Sequence, residues 1–63
     1  MELTKLAGTC EDDDCPTIYA TGRGTIAVQG DVMAALGAVR PGPGEAIVEI
    51  PLALLLEAAR AAG

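Results

Sequence analysis

The sequence has no histidine, serine, phenylalanine or tryptophan, and Tyr19 is its only aromatic residue. The lack of histidine and serine excludes the common hydrolase triads, and it also removes the histidine ligands of many zinc sites. Without large rings, the core must be built from Ile, Val, Leu and Ala, which bury less area per side chain. We therefore predict a non-enzymatic protein with a thin core.

Basic residues are also few, since four Lys and Arg oppose nine Asp and Glu, for a formal net charge of −5. The four bases, Lys5, Arg23, Arg40 and Arg60, are scattered, whereas nucleic-acid binding is typically marked by clustered bases. No apolar run approaches the roughly 20 residues that span a bilayer, and the first residues do not have the features of a secretory signal. The sequence predicts an acidic cytoplasmic protein that does not bind nucleic acid or membrane.

A chain of 63 residues is predicted to form a single domain, residues 1–63. A domain of about this size buries only about 60% of the surface that its unfolded chain exposes. Small scaffolds of this kind usually depend on a disulfide, a metal or a second chain for stability. We therefore expect one of these three in this protein.

Short segments rich in β-branched residues predict strands. Residues 17–21 and 25–29 have this composition and flank Gly22-Arg23-Gly24, which indicates a β-hairpin with Arg23 at its tip. Residues 45–50 predict a third strand. Tyr19 and Ile47 fall on the polar face of these strands, where they would form a small exposed apolar patch.

Two helices are predicted around the third strand. Asp31 and Gly37 have the usual start and stop chemistry for a short helix over residues 31–37, and Pro51 is suited to begin a longer helix that runs to the end of the chain. The predicted fold is a small α+β domain of order ββαβα. Its three-stranded, mainly antiparallel sheet is covered by the C-terminal helix.

Alternation in the strands puts one set of apolar residues on a shared core face: Ile18, Ala20, Ile26, Val28, Ala46, Val48 and Ile50. In the last helix, apolar residues at i, i+3, i+4 and i+7 predict the stripe that covers the sheet: Leu52, Leu55, Leu56 and Ala59. A different side of the helix holds Leu54, Ala58 and Ala61. A helix that is apolar over so much of its circumference predicts a contact with a second chain, so we expect a homodimer or a complex with another protein.

The stretch CEDDDC, residues 10–15, contains the only two cysteines. Cys10 and Cys15 are candidate zinc ligands, but a tetrahedral site would need two further ligands from acids or from a second chain. A disulfide between them would close a short loop, and two reduced thiols are the third alternative. Four neighbouring acids disfavour a thiolate, so the residues between the cysteines are expected to form a charged, solvated loop.

Several motifs carry a family resemblance: Cys15-Pro16-Thr17, Tyr19, Arg23-Gly24-Thr25 and Gln29-Gly30, followed by VEIPL at the start of the last helix. In this pattern the chain resembles a group of small acidic actinobacterial (Streptomyces-type) proteins. Such proteins are often encoded beside helix-turn-helix regulators. The resemblance implies a regulatory, accessory role and assigns no catalytic residue.

These observations predict a non-enzymatic regulatory protein that acts through protein–protein interaction, with a helix-turn-helix transcription regulator as its expected partner. The candidate interaction residues are Tyr19, Arg23, Ile47, Leu54, Ala58 and Ala61. One alternative is a zinc-binding or redox module that uses Cys10 and Cys15. Another is a small DNA-binding dimer that uses the hairpin tip. No cofactor other than zinc in the first alternative is predicted.

Overall fold

A computed structural model describes residues 2–8 and 15–63 of the chain. Within these ranges, one antiparallel sheet has the strand order β1-β2-β3, where β1 is Thr4–Gly8, β2 is Thr17–Ala20 and β3 is Ile26–Gln29. The sequence does not predict β1, because the segment TKLAG has only one β-branched residue. This segment is a strand because it pairs with β2.

The predicted hairpin is confirmed, with β2 and β3 as its arms. At its turn end, the Thr21 N–H donates to the Thr25 carbonyl at 3.2 Å, and the two threonine hydroxyls lie 2.6 Å apart. Gly22 and Gly24 have φ of 83° and 80°, which is the left-handed region that side chains disfavour. Arg23 lies between them at the exposed tip.

A second, two-stranded sheet joins β4, Asp31–Val32, to β5, Val48–Glu49. The predicted helix over residues 31–37 is wrong. Seven residues make about two turns, which are not stable without packing, and Asp31–Val32 pairs with β5 instead. The Met33 N–H extends this pairing by donating to the Ile47 carbonyl at 2.9 Å.

The prediction that residues 45–50 supply the third strand of the main sheet is also wrong. Only Val48–Glu49 of that segment is a strand, and β1 takes the third place in the main sheet. Gly30 marks the junction between the two sheets, since a Cβ atom there would lie 2.6 Å from the Glu49 carbonyl oxygen. This close approach of two backbones requires glycine and turns the chain out of the main sheet.

The C-terminal helix is confirmed as α1, Leu52–Ala62. Pro51 is its N-cap residue, and the Gly63 N–H donates to the Ala59 carbonyl at 3.2 Å at the other end. Arg60 lies in the last turn, where a positive charge interacts favourably with the helix dipole. Strong helix formers over the whole length explain why this element could be predicted from local sequence.

The core lies between α1 and the first two strands, β1 and β2. Its buried apolar residues are Ala7, Ile18, Leu54 and Ala58, with Leu6 and Ile50 packed against them. The predicted α+β class, a three-stranded antiparallel sheet with one C-terminal helix, is confirmed. In the described residues, five strands followed by one helix replace the predicted order ββαβα.

The predicted core face is correct for β2 and wrong for β3. Ile18 is 1% exposed, but Ile26 and Val28, on the same face of the sheet, are 51% and 43% exposed. The cause is the position of the helix, which packs on β1 and β2 and leaves β3 at the uncovered side. One half of the sheet is therefore core, and the other half is apolar surface.

Candidate interaction surface

The helix contacts the sheet through a different side from the one the sequence predicts. Leu54 and Ala58, both 4% exposed, are one turn apart and belong to the same buried cluster as Ala7 and Ile18. The assignment of Leu54 and Ala58 to a partner contact is therefore wrong.

The side of the helix that was predicted to cover the sheet points into solvent. We call its four apolar residues, at i, i+3, i+4 and i+7, the leucine stripe: Leu52, Leu55, Leu56 and Ala59. Leu52 is 71% exposed, and Leu55 and Leu56 are each 51% exposed. Periodicity alone detects this stripe, but it does not choose between two apolar sides of one helix, so its outward direction could not be predicted.

The remaining interaction candidates are dispersed. Ala61 and Arg23 are exposed, in the last turn of α1 and at the hairpin tip respectively. Tyr19 lies in β2, opposite Lys5 and Ala27, and is half-buried. The structure therefore places Tyr19 in the main sheet.

Ile47, also half-buried, immediately precedes β5 in the second sheet. The predicted apolar patch assumed that Tyr19 and Ile47 belong to one sheet, and the structure puts them in two. The Arg23 hairpin tip is the basis of the DNA-binding alternative, which stays a prediction.

Cys15, which precedes β2, is disulfide-bonded. Cys10, the other cysteine of the sequence, lies outside the described residues. A disulfide sulfur carries no thiolate, so zinc binding at this pair would require the reduced protein. Stable disulfides are rare in reducing compartments, so the bond at Cys15 is at odds with a cytoplasmic location, and both the zinc site and the location stay predictions.

The carbonyl of Cys15 connects the start of the hairpin to its other strand. It accepts a hydrogen bond from the Thr17 hydroxyl at 2.8 Å and another from the Gln29 amide nitrogen at 3.1 Å. Thr17 is buried and Gln29 is half-buried. These two bonds connect the residue before β2 to the start of β2 and to the end of β3. Cys15, Thr17 and Gln29, all from the motifs, therefore have a structural role.

Two acids lie directly opposite each other in the second sheet, Asp31 on β4 and Glu49 on β5. They also line an open groove of about 310 Å³ together with Pro16, Ile50 and Pro51. Like charges that face each other across two strands destabilise the pairing. This groove therefore favours a positively charged group from outside the chain.

A second groove, of about 260 Å³, separates the end of β1 from the helix. Among the described residues it is lined by Gly8, Pro51, Ala53, Leu54 and Glu57. General acid–base catalysis usually needs two or more positioned groups of suitable pKa, and the described part of this lining supplies one titratable side chain, Glu57.

In the part of the chain that the structure describes, no helix is long and apolar enough to cross a membrane. No protein-family model, no curated protein and no solved structure matches the sequence. No function is therefore assigned to these residues by similarity.

Proposed function

We propose that this chain is a non-enzymatic regulatory accessory protein that acts in the cytoplasm by binding another protein through the leucine stripe. Its expected partner is a helix-turn-helix transcription regulator. The observation that carries the proposal is the direction of the stripe, since Leu52, Leu55 and Leu56 are all more than half exposed. The expectation of a regulatory partner comes from the family resemblance of the Cys15-Pro16-Thr17 and Arg23-Gly24-Thr25 motifs.

The spacing of the stripe matches a known mode of recognition. In helix-in-groove complexes, an amphipathic helix presents anchors at i, i+3, i+4 and i+7 to an apolar groove. Leu52, Leu55, Leu56 and Ala59 have this spacing. The opposite side of the same helix is already occupied by the core, so α1 is held rigidly with its anchors outward, which lowers the entropy cost of binding.

The leucine stripe offers apolar area that a partner can bury. Full burial of one leucine side chain is worth roughly 1.5–3 kcal/mol, and a micromolar complex corresponds to about 8 kcal/mol. Burial of the exposed parts of Leu52, Leu55 and Leu56 would contribute roughly 3–5 kcal/mol before the entropy cost of association. The rest can come from polar contacts at the rim, where Glu57 and Arg60 are exposed.

The composition supports a binding role over catalysis. Histidine and serine are absent from the sequence, which removes the common hydrolase triads. The acidic balance of the chain, a formal net charge of −5, favours a basic partner surface. DNA-binding regulators carry such surfaces, because they must neutralise phosphates.

Photo-crosslinking in the native cell tests the proposal. A benzoylphenylalanine in place of Leu56 is expected to capture the partner, and mass spectrometry then identifies it. The matched control carries the same probe in place of Val39, which is exposed but lies outside the helix. With the purified partner, the variant Leu52→Gln/Leu56→Gln is expected to bind at least tenfold more weakly by titration calorimetry, because truncated anchors cost more than about 1 kcal/mol each.

Val39→Gln should leave that affinity unchanged. The proposal is contradicted if the probe at position 56 captures no protein beyond those captured at position 39. It is equally contradicted if the double leucine variant binds the captured partner as tightly as the wild-type chain does.

A further inference from the structure

The main sheet has two edge strands, β1 and β3, and only one of them is protected. Natural proteins block exposed edges with lysine, proline or bulges, which prevent pairing with another chain. β1 has Lys5 and a register shift between Lys5 and Ala7. β3, with the sequence IAVQ, has no charge, no proline and no register shift. The free side of β3 is therefore suited to accept another strand.

The hairpin hydrogen bonds show which backbone groups β3 offers. The Thr21 N–H donates to the Thr25 carbonyl, so the backbone N–H and C=O groups of Thr25 point towards β2. The direction of these groups alternates along a strand. Those of Ala27 therefore also point towards β2, and those of Ile26 and Val28 point away from it. In the described part of the chain, neither Ile26 nor Val28 makes a backbone hydrogen bond outside the β2–β3 ladder.

The side chains of the same two residues are apolar and incompletely covered. Val28 is opposite Ile18 and Ile26 is opposite Ala20, so both lie on the face that carries the helix. The helix packs on β1 and β2 and does not cover β3. Within the described residues, the edge thus combines backbone groups that have no partner with an exposed apolar surface, which is the combination that strand addition buries.

We propose that a second copy of this chain pairs antiparallel with β3 across a two-fold axis, so that the two sheets become one sheet of six strands. In this register, Ile26 of each copy is opposite Val28 of the other, and Ala27 lies on the axis. All outward backbone groups of Ile26 and Val28 are then bonded. The two helices lie on the same face, and the apolar side chains of both β3 strands become neighbours.

Charge complementarity supports a second copy as the occupant of this edge. Arg23 lies in the turn before β3, and Asp31 begins β4 just after it, so antiparallel pairing brings the hairpin tip of each copy towards Asp31 of the other. Asp31 already faces Glu49 within its own chain, so an incoming guanidinium relieves a repulsion as well as forming an ion pair. The two-fold axis provides this contact twice.

The β3 edge is a different surface from the leucine stripe, so the two proposals can be tested separately. Sedimentation equilibrium of the full chain, from micromolar to millimolar concentration, is expected to show twice the 6.3 kDa mass of one chain. Arg23→Asp and Asp31→Arg are each expected to weaken dimer affinity roughly tenfold, since two contacts are lost per dimer. The double variant Arg23→Asp/Asp31→Arg restores the pairs with reversed sign and should recover wild-type affinity.

Arg40→Asp changes the net charge by the same amount as Arg23→Asp, but at an exposed position outside the sheets, and should leave the affinity unchanged. Val28→Pro removes an outward N–H and should give a monomer, while the β2–β3 ladder keeps its own bonds. A monomer at all concentrations overturns the proposal, and so does a dimer whose double charge variant is no tighter than the single variants. Capture of a partner at position 56 is a separate result, so failure of either proposal leaves the other standing.

Discussion

At the scale of single residues, two neighbours in β2 show how completely the middle strand is enclosed. Thr17 and Ile18 are each 1% exposed, although consecutive strand residues point to opposite faces. Ile18 packs in the cluster that contains Leu54 and Ala58 of the helix, and the Thr17 hydroxyl donates to the Cys15 carbonyl. A buried hydroxyl without this bond would cost free energy.

Thr17→Val tests this hydroxyl, because valine has nearly the same shape. We expect the free energy of unfolding to fall by about 1 kcal/mol, the net value of one hydrogen bond. The loss should not be larger, since the Cys15 carbonyl keeps its bond from Gln29. Thr4→Val, the same change at an exposed position of β1, should alter stability by less than about 0.5 kcal/mol. Urea unfolding of the two variants measures the difference, and equal losses would contradict the assignment.

Alternation along β2 separates Thr17 from Ile18 correctly but does not show that both are buried. The sequence places Thr17 on a polar face, which suggests exposure to solvent. Thr17 is instead buried, and its hydroxyl and the Gln29 amide nitrogen both donate to the Cys15 carbonyl. The bond from Gln29 joins residues 14 positions apart, so no local pattern contains it.

At the scale of elements, success and failure follow the range of the interactions that form each element. The hairpin and α1 are predicted correctly, because the glycines at 22 and 24 and the run of helix formers act locally. β1 is missed because it depends on pairing with β2. The predicted helix over residues 31–37 does not form, because favourable capping residues alone do not stabilise two helical turns that lack packing.

The helix also shows why an element can be predicted while its orientation is not. α1 has apolar residues around much of its circumference, so the pattern fits two orientations. The observed one buries Leu54 and exposes Leu52. The predicted sheet contained residues 45–50, whereas the observed sheet contains β1 in their place. The helix therefore packs against a different surface from the predicted one, and that surface determines which side of the helix is buried.

A matched pair of substitutions in the helix tests the orientation. Leu54→Ala should lower the free energy of unfolding by about 2–5 kcal/mol, because it leaves a cavity against Ile18 and Ala7. Leu52→Ala is the same change two residues away at a position 71% exposed, and should cost less than about 0.5 kcal/mol. Thermal unfolding followed by circular dichroism compares the two. If Leu52→Ala were the more destabilising variant, the helix would pack through the leucine stripe.

At the scale of the whole molecule, the distribution of apolar side chains is unusual for a protein that works alone. The buried apolar core of the described residues is Ala7, Ile18, Leu54 and Ala58, whereas eight large hydrophobic residues are exposed. Composition predicts this imbalance, since a chain rich in Leu, Val and Ala but only 63 residues long cannot enclose them. It does not predict which surfaces remain open, because these depend on where the helix lies.

The two proposed contacts divide this open surface between them. The β3 edge would bury Ile26 and Val28 against a second copy, and the leucine stripe would remain for a different protein. Two such stripes on one dimer would bind a dimeric regulator with higher avidity than either stripe alone. A regulator that is itself two-fold symmetric fits this arrangement.

A dimer of marginally stable chains gives a thermal midpoint that depends on concentration. Since unfolding then separates two chains, a hundredfold increase in concentration adds about 2.7 kcal/mol to the stability of the dimer. The unfolding entropy of two such chains, at about 2.1 cal/mol/K per residue, converts this to a rise in midpoint of roughly 10 °C. Calorimetry at the two concentrations measures it. Val28→Pro should abolish the dependence, because a monomer unfolds at one temperature whatever its concentration, whereas Leu52→Ala should retain it, because the leucine stripe lies outside the dimer contact.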